Sequence, residues 1–296
     1  MPVRRFAVDG PLDLRSTLGA LGMRLEHRLP ATSNEGWYVA LTPDGPGTIH
    51  LRRAGGQVEA EAWGPGAVRL LDGAPDLVGA DDDPDGFAPT AAPLRRLHAR
   101  DRGLRLGRTG WVMGAMVPAV LAQKVTTEAA RRSYRRIVDT WGTAAPGPLD
   151  ARLPPSPEVL ATLRYEDLHR TGVERRRAQL VIEVARRARR MEEALHMERD
   201  AAYQRLTAVT GIGPWTAGHV MGIAWGDRDA VPVGDFHLPN TVAWALAGEP
   251  RADDARMLEL LEPYRGQRRR VVLLLKRNVH APSFGPRNAV REFSDQ

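Results

Sequence analysis

The stretch Leu206-Thr-Ala-Val-Thr-Gly-Ile-Gly-Pro-Trp-Thr-Ala217 places a Gly-x-Gly turn between two segments with helical patterns. Gly211 and Gly213 permit a tight turn and let a ligand approach bare backbone N–H groups. Pro214 suits the first turn of the next helix, whose unpaired N–H groups and partial positive charge favour an anion such as a phosphate. Such a contact would position a nucleic-acid backbone without reading its bases. A Gly-x-Gly turn alone also occurs at helix corners that bind nothing.

An aspartate, Asp235, follows Gly213 by 22 residues, within the sequence Val231-Pro-Val-Gly-Asp-Phe-His237. An aspartate in front of an apolar helix usually caps that helix. Its distance from a phosphate-binding turn adds a second interpretation, in which the carboxylate acts on a bond beside the bound backbone. The turn and the aspartate together are the strongest indication of function in the chain.

Composition limits the classes of protein that this chain can belong to. It has 296 residues, 43% of them hydrophobic, which suits a soluble protein of one large or two smaller domains. The absence of cysteine excludes disulfides, cysteine-bound zinc and a cysteine-ligated iron–sulfur cluster. The first residues lack the apolar run of a signal peptide, and no stretch suits a membrane span, so we expect a cytoplasmic protein.

The charge is distributed unevenly along the chain. Residues 1–90 carry a net charge of −5 and the remainder carries +11, for a total of +6 at pH 7. A strongly basic part attracts polyanions, most commonly nucleic acids, and such binding weakens as the salt concentration rises. Most of the arginine clusters are expected to be solvated helix faces, and a subset is expected to face the polyanion.

The fold class is predicted to be α+β, with a small antiparallel β-sheet domain over 1–85 and an all-α domain over 86–296. Val58-Glu-Ala-Glu-Ala-Trp63 alternates as a half-buried strand does. The predicted strands are 4–8, 37–41, 48–52 and 58–63, with helices at 13–21 and 66–71. The acidic, turn-forming segment Asp81–Gly86 is predicted to be the linker. The helices predicted after it are 94–100, 117–141, 174–195, 200–209, 214–223, 238–246, 253–261 and 266–279.

These features resemble a known family. The run 206–217, followed by Val231-Pro-Val-Gly-Asp235, resembles the helix-hairpin-helix, Gly/Pro-rich loop and aspartate signature of the HhH-GPD DNA glycosylases. Within that superfamily the chain is most similar to 3-methyladenine DNA glycosylase II. Ala119-Val-Leu-Ala-Gln-Lys-Val-Thr126 resembles a helix start of the same branch. A β-rich N-terminal domain and the absence of cluster cysteines are also typical of it.

The resemblance implies a monofunctional DNA glycosylase of base excision repair, whose partner is double-stranded DNA that contains damaged bases. The damaged base would be flipped out of the duplex before its bond to deoxyribose is hydrolysed. Asp235 would be catalytic, because its carboxylate can stabilise an oxocarbenium-like sugar or orient water. Purines alkylated as 3-methyladenine or 7-methylguanine carry positive charge and leave readily. Relatives that also nick the strand carry a lysine at the position of Trp215, so the resemblance implies no AP-lyase activity.

The resemblance also assigns further site residues. Contacts with DNA are expected from Gln123, Lys124, Gly211, Ile212, Gly213, Pro214 and Thr216. One member of the pair Gln123 and Lys124 would fill the gap left by the flipped base, and we expect Gln123 to do so. The candidates for the base pocket are Trp111, Trp215, His219, Phe236 and Tyr264, of which the two tryptophans could equally be core residues. The backbone carbonyls of Thr207, Val209 and Ile212 would hold Na⁺ or K⁺, and no other cofactor is expected.

Two alternatives remain open from the sequence. The same scaffold would serve a glycosylase for deaminated or mismatched bases, with a different pocket. A non-catalytic lesion sensor would keep the hairpin but would not need the anion at Asp235. We expect a monomer, since nothing in the chain requires another state.

Overall fold

The computed structural model describes residues 2–23, 25 and 29–282, and the first part of it is a four-stranded antiparallel sheet. The strands are β1 (Val3–Ala7), β2 (Glu35–Thr42), β3 (Gly45–Ala54) and β4 (Gln57–Trp63), in the order β1-β4-β3-β2. Gly55 and Gly56 join β3 to β4 with φ angles of +56° and +81°, which a two-residue type I′ turn requires. The alternation in β4 places Val58, Ala60 and Ala62 in the core at 0% exposure. The predicted meander is confirmed.

The rest of the described chain is mostly helical, which confirms the α+β class. The helices are α1 (Leu14–Leu18), α2 (Ala67–Asp72), α3 (Ala74–Leu77), α4 (Ala92–Arg100), α5 (Val112–Leu121), α6 (Thr127–Trp141), α7 (Pro157–Thr162), α8 (Tyr165–His169), α9 (Arg175–Arg186), α10 (Ala188–Glu192), α11 (Arg199–Thr207), α12 (Pro214–Val220), α13 (Leu238–Ala247), α14 (Asp254–Leu261) and α15 (Arg268–Asn278). A short hairpin of β5 (Thr143–Ala144) and β6 (Arg152–Leu153) was not predicted. A π turn over Met221–Trp225 continues α12, and two 3₁₀ turns cover Glu193–His196 and Glu262–Tyr264.

The helix predicted over 117–141 is wrong as a single element, because the chain breaks between α5 and α6. Lys124 adopts a φ of +54°, which is the left-handed region and cannot continue a right-handed helix. Thr126 then starts α6 by accepting a hydrogen bond from the N–H of Ala129. The predicted start at residue 117 is also wrong, because α5 begins at Val112 and Pro118 lies inside it.

The helix predicted over 174–195 is also divided. It bends at Arg187, whose φ and ψ of −105° and 12° leave the helical region, and α10 begins at the next residue. The bend brings the carboxylate of Glu192 to the start of α5, where it accepts hydrogen bonds from the N–H groups of Val112 and Met113 at 2.9 and 2.8 Å. The break therefore provides a cap for a second helix that begins 80 residues earlier in the chain.

The acidic segment 81–86 is anchored in the structure through Asp82, although four of its six residues are exposed. Asp82 is only 4% exposed and forms an ion pair with the buried Arg270 of α15. Its Oδ2 also accepts a hydrogen bond from the N–H of Leu106 at 2.9 Å. The sequence pattern did not reveal the burial of Asp82, because a buried carboxylate needs a cation, and local composition gives no sign of a partner that is distant in the chain. The division into 1–85 and 86–296 stays a prediction.

Three apolar clusters form the core of the described residues. One lies under the sheet. A second joins α5 to α12 and includes the hairpin residues Val209 and Ile212. A third joins α4 to α13, α14 and α15. The loop that carries Asp235 connects the second cluster to the third. Within the described ranges, no helix combines the length and the apolarity that crossing a bilayer requires.

Candidate active site

The two carboxylate oxygens of Asp235 contact different groups. Oδ1 accepts hydrogen bonds from the backbone N–H groups of His237 and Leu238, both at 2.9 Å, at the start of α13. This is the capping role that an aspartate in front of a helix usually has. Oδ2 points away from the helix and contacts Trp215 and Lys276. The capping interpretation and the catalytic one are therefore compatible, because each concerns a different oxygen.

The surroundings of Oδ2 keep the carboxylate ionised. Burial of Asp235 opposes ionisation, but the Lys276 ammonium at 3.4 Å, the two backbone N–H groups and the Trp215 indole N–H at 3.1 Å outweigh it. Together they lower the pKa of Asp235 to about 2. The side chain is 12% exposed, so this anion is held in a site from which most water is excluded. Such an anion can stabilise positive charge that develops nearby.

His219 lies beside Trp215 and has an unsatisfied polar atom. The two rings meet edge to face, with centroids 4.7 Å apart. The Nε2 atom of His219 is buried and has no hydrogen-bond partner among the described residues. Burial, Lys276 and Arg269 lower the pKa of His219 far below its usual value, against a smaller opposite influence of Asp235. The ring is therefore neutral near pH 7, and Nε2 can donate or accept one hydrogen bond, depending on the tautomer.

The hairpin has the backbone geometry that its glycines predict. Gly211 adopts a φ of +99°, which favours glycine, and a Cβ there would also meet Leu180 at 3.0 Å. A Cβ on Gly213 would meet nothing within 4 Å, so open space lies in front of that residue. Pro214 occupies the first turn of α12, as predicted. Ile212 is buried, and only its backbone can face a ligand.

The two candidates for the gap-filling residue lie next to the hairpin. They differ in how firmly the rest of the protein holds their side chains. The Nε2 of Gln123 donates hydrogen bonds to the carbonyl of Gly211 at 3.0 Å and to the hydroxyl of the buried Thr216 at 2.9 Å. Lys124 is exposed, and it is the one non-glycine residue in the described ranges with a positive φ. Gln123 thus ties α5 to the hairpin, whereas the side chain of Lys124 projects from a tight turn.

The other predicted pocket residues lie in different places. Phe236 is next to the aspartate in the chain and is 67% exposed. Trp111 packs against the first and second apolar clusters and lines a small apolar cavity with Val117 and Pro118. Tyr264 is buried in the third cluster beside Phe87, and its hydroxyl contacts Thr90 at 3.4 Å. The contacts around Asp235 therefore bring together Trp215 and His219, and not Trp111 or Tyr264.

The carbonyls expected to hold a monovalent cation lie at the end of α11, at Thr207, and in the turn that follows, at Val209 and Ile212. The carbonyl of Val209 accepts the N–H of Ile212 at 3.0 Å and keeps a second lone pair for a ligand. The hydroxyl of Thr207 donates to the carbonyl of Tyr203 at 2.8 Å, so this side chain is turned toward its own helix. The described residues contain no cluster of three or more His, Cys, Asp or Glu side chains that could hold another metal.

Lys276 was not predicted from the sequence. It lies on α15, 41 residues after Asp235, and only the packing of α15 beside the loop brings the two side chains together. The composition contains one signal that could have pointed to Lys276. The chain has 40 arginines and only two lysines, Lys124 and Lys276, so a lysine is a rare choice of basic residue here. Lys276 contacts Asp235, and Lys124 follows Gln123, which contacts the hairpin.

Comparisons with known proteins agree with this geometry. Residues 117–265 match the family described as HhH-GPD superfamily base excision DNA repair protein. A Bacillus subtilis protein provisionally named DNA-3-methyladenine glycosylase is 27% identical over 160 residues, which are 52% of this chain and 55% of that protein. The chain therefore spans about half the length of this relative.

Two solved structures show the same fold at low identity. A 3-methyladenine DNA glycosylase from Archaeoglobus fulgidus has a TM-score of 0.76 and 19% identity, over 92% of this chain and 96% of that one. The Clostridium acetobutylicum 8-oxoguanine glycosylase/lyase in complex with double-stranded DNA has a TM-score of 0.66 and 12% identity, over 86% and 89%. The family match covers the hairpin, Asp235 and the helices that position them. The chain belongs to the HhH-GPD superfamily of base excision DNA repair proteins.

Proposed function

We propose that this protein is a monofunctional DNA glycosylase that releases alkylated purines of the 3-methyladenine or 7-methylguanine type from double-stranded DNA. The observation that carries the proposal is the ionised Oδ2 of Asp235 beside Trp215, at the position of the family aspartate. The name of the Bacillus subtilis relative supports the choice of lesion. We further expect a monomer that acts in the cytoplasm.

The reaction follows from the charge on this aspartate. An alkylated purine leaves its duplex stack at a cost of a few kcal/mol, and the bond from C1′ to the base nitrogen then breaks. The bonding electrons go to the base, which is already cationic and leaves as a neutral molecule. Positive charge builds on the sugar, and the carboxylate of Asp235 stabilises it. Water adds to C1′ and loses its proton to the solvent.

The hairpin would hold the strand during this reaction. The N–H groups at the start of α12 and the open space at Gly213 suit a backbone phosphate. Two hydrogen bonds hold Gln123, the residue expected from the sequence to fill the gap left by the flipped base, against the hairpin. We therefore propose that Lys124 enters the gap in its place. We also propose that Na⁺ or K⁺ binds the carbonyls of Thr207, Val209 and Ile212, where it would add positive charge toward the phosphate.

A groove next to the hairpin extends the proposed DNA contact. It has a volume of about 650 Å³, begins at Thr210 and Gly211, and runs between α8 and α9. Its lining includes Arg164, Arg176 and Arg186. We expect Arg176→Ala to weaken binding to all duplexes alike and to lower the slope of log affinity against log salt by about 1, as the loss of one phosphate contact does. Fluorescence anisotropy over a salt series measures this slope.

The control for this experiment is Arg5→Ala, which removes an exposed arginine on β1 that pairs with Glu59. It should leave the salt dependence of binding unchanged. An unchanged slope in Arg176→Ala as well would show that the groove does not carry DNA.

Strand cleavage is not expected from this site. Trp215 stands where bifunctional relatives carry their lysine, and Lys276 is paired with an ionised carboxylate. An ammonium in such a pair has no free electron pair with which to attack the aldehyde of an abasic site. Borohydride added during the reaction should therefore give no covalent protein–DNA adduct. An adduct that depends on Lys276 would overturn this expectation.

The proposed function is tested by base release. A duplex treated with a methylating agent is incubated with the protein, and the free bases are separated by chromatography. Release of 3-methyladenine or 7-methylguanine above the spontaneous rate supports the proposal. DNA binding without release of either base would contradict it and would favour a lesion sensor.

A further inference from the structure

One face of α9 forms a wall of the groove that begins at the hairpin. Its polar side chains in the groove are spaced by three, four and three residues and so lie along one side of the helix: Arg176, Gln179, Glu183 and Arg186. Leu180 of the same helix contacts the hairpin, since a Cβ on Gly211 would approach it to 3.0 Å. The groove therefore starts directly at the turn that we propose to hold a phosphate.

The rest of the lining combines an aromatic ring with apolar side chains. Tyr165, the first residue of α8, lines the groove together with Leu163, Leu180 and Ile182. The guanidinium carbon of Arg175 lies 4.5 Å from the centroid of the Tyr165 ring, and this cation–π contact restrains the orientation of the ring. A phosphate gains nothing from such a surface, whereas a nucleic-acid base can stack on an aromatic ring or on a guanidinium.

Two carboxylates in the lining also favour bases over phosphates. Glu183 forms an ion pair with Arg187, and Glu166 is exposed. A paired duplex presents mainly phosphates to a groove of this size, and a carboxylate repels them. Unpaired bases carry amino groups and ring nitrogens with which carboxylates and the amide of Gln179 can form hydrogen bonds. The mixed lining therefore suits unpaired nucleotides better than a duplex.

The dimensions of the groove agree with a short single strand. Arg176 and Arg186 are about three helical turns apart, or about 15 Å along the axis of α9. One strand of DNA advances about 3.4 Å for each stacked nucleotide, so this length accommodates about four nucleotides. The groove volume of about 650 Å³ is also in the range of sites that enclose small organic molecules.

We propose that this groove binds unpaired nucleotides of a DNA strand that leaves the hairpin, and that the enzyme thereby favours damaged bases beside a junction of double-stranded and single-stranded DNA. The bases would stack on Tyr165 and form hydrogen bonds with Gln179, while the exposed Arg164 and Arg176 would contact phosphates. Flipping costs least where pairing is already weakened, as it is beside such a junction. The proposal rests on the proposed glycosylase function and adds a preferred DNA structure to it.

The experiment measures dissociation constants by fluorescence anisotropy on DNA without damaged bases, so that base release does not enter. A blunt duplex is compared with the same duplex carrying an overhang of about four nucleotides at its 5′ or its 3′ end. We expect one of the two overhangs to tighten binding about 5- to 150-fold, as the stacking of one base on an aromatic side chain does. An overhang of abasic nucleotides keeps the phosphates and should lose most of this gain.

Variants of Tyr165 test whether its ring provides the preference. Tyr165→Leu removes the ring but keeps an apolar side chain against the second apolar cluster, and it should abolish the preference for the overhang without weakening binding to the blunt duplex. Tyr165→Phe keeps the ring and should keep the preference. Tyr38→Leu is the matched control, since it replaces another half-buried tyrosine, on β2 and outside the groove. It should behave as the wild type does.

The remaining outcomes are distinguishable. Equal affinity for the blunt duplex and for both overhangs would overturn the proposal, and so would a preference that persists in Tyr165→Leu or with the abasic overhang. These results leave the proposed function intact, because it is tested separately by base release from a methylated duplex. A wild-type protein that binds none of these DNAs would contradict the proposed function together with this proposal. Melting temperatures establish that each variant is folded.

Discussion

Replacing Asp235 with asparagine should lower the rate of base excision by about 10²–10³ or more, while binding to DNA persists. The asparagine amide keeps the size of the side chain and one oxygen that can cap α13, as Oδ1 does now. What it loses is the negative charge next to the sugar. Because the charge acts mainly on the transition state, the loss should appear in the single-turnover rate and much less in the affinity for DNA.

The measurement is single-turnover release of 7-methylguanine, together with the dissociation constant for the same duplex. Asp253→Asn provides a matched control, because Asp253 also caps a helix, α14, through a hydrogen bond from Arg256 at 2.9 Å. Asparagine is an equally good cap there, so the control should retain activity. Wild-type excision in Asp235→Asn would show that the carboxylate is not required.

The rate of base excision at acidic pH depends on the ionisation of the Asp235 carboxylate. The pKa of Asp235 in the folded protein is lowered to about 2. The ionised form is therefore still dominant at pH 4, and the stability that this ionisation provides is lost only as the pH falls toward 2. Protonation of Asp235 should not reduce excision between pH 7 and pH 4.

Removing Arg270 should cost about 3–5 kcal/mol of unfolding free energy, because it leaves the buried Asp82 without its counter-charge. Arg270 is 1% exposed and contacts both oxygens of Asp82, at 2.7 and 2.6 Å. It also donates to the carbonyl of Leu104 at 2.9 Å. The pair connects α15 to the segment that follows the N-terminal sheet. Arg270→Met therefore tests whether this connection stabilises the whole fold.

Urea denaturation of wild type and Arg270→Met gives the change in unfolding free energy. The double variant Asp82→Leu with Arg270→Met removes both charges, and it should cost less than the two single changes added together. Arg102→Met serves as the surface control, since it breaks the exposed pair with Asp85. A loss in Arg270→Met no larger than in this control would show that the buried pair is not important for stability.

Much of the fold could be predicted because its signals are local. The alternation of residues 58–63 and the two-residue turn at Gly55 and Gly56 each depend on contacts within a few residues. The hairpin could be predicted for the same reason, since the φ of Gly211 and the position of Pro214 depend only on a short stretch of sequence. The sequence also placed Trp215 and His219 near Asp235 through the resemblance of these segments to the family.

Tertiary structure alone decided which charges meet at Asp235 and at the buried Asp82. Lys276 reaches Asp235 across 41 residues, and Arg270 reaches Asp82 across 188. The helix breaks at Lys124 and Arg187 likewise depend on distant partners, since Gln123 binds the hairpin and Glu192 caps α5. Local propensity carries no information about such pairs, because their energy arises only when folding removes both groups from water. The sequence by itself determined the α+β class, the hairpin and the aspartate, and the packing of α15 decided which cation lies beside that aspartate.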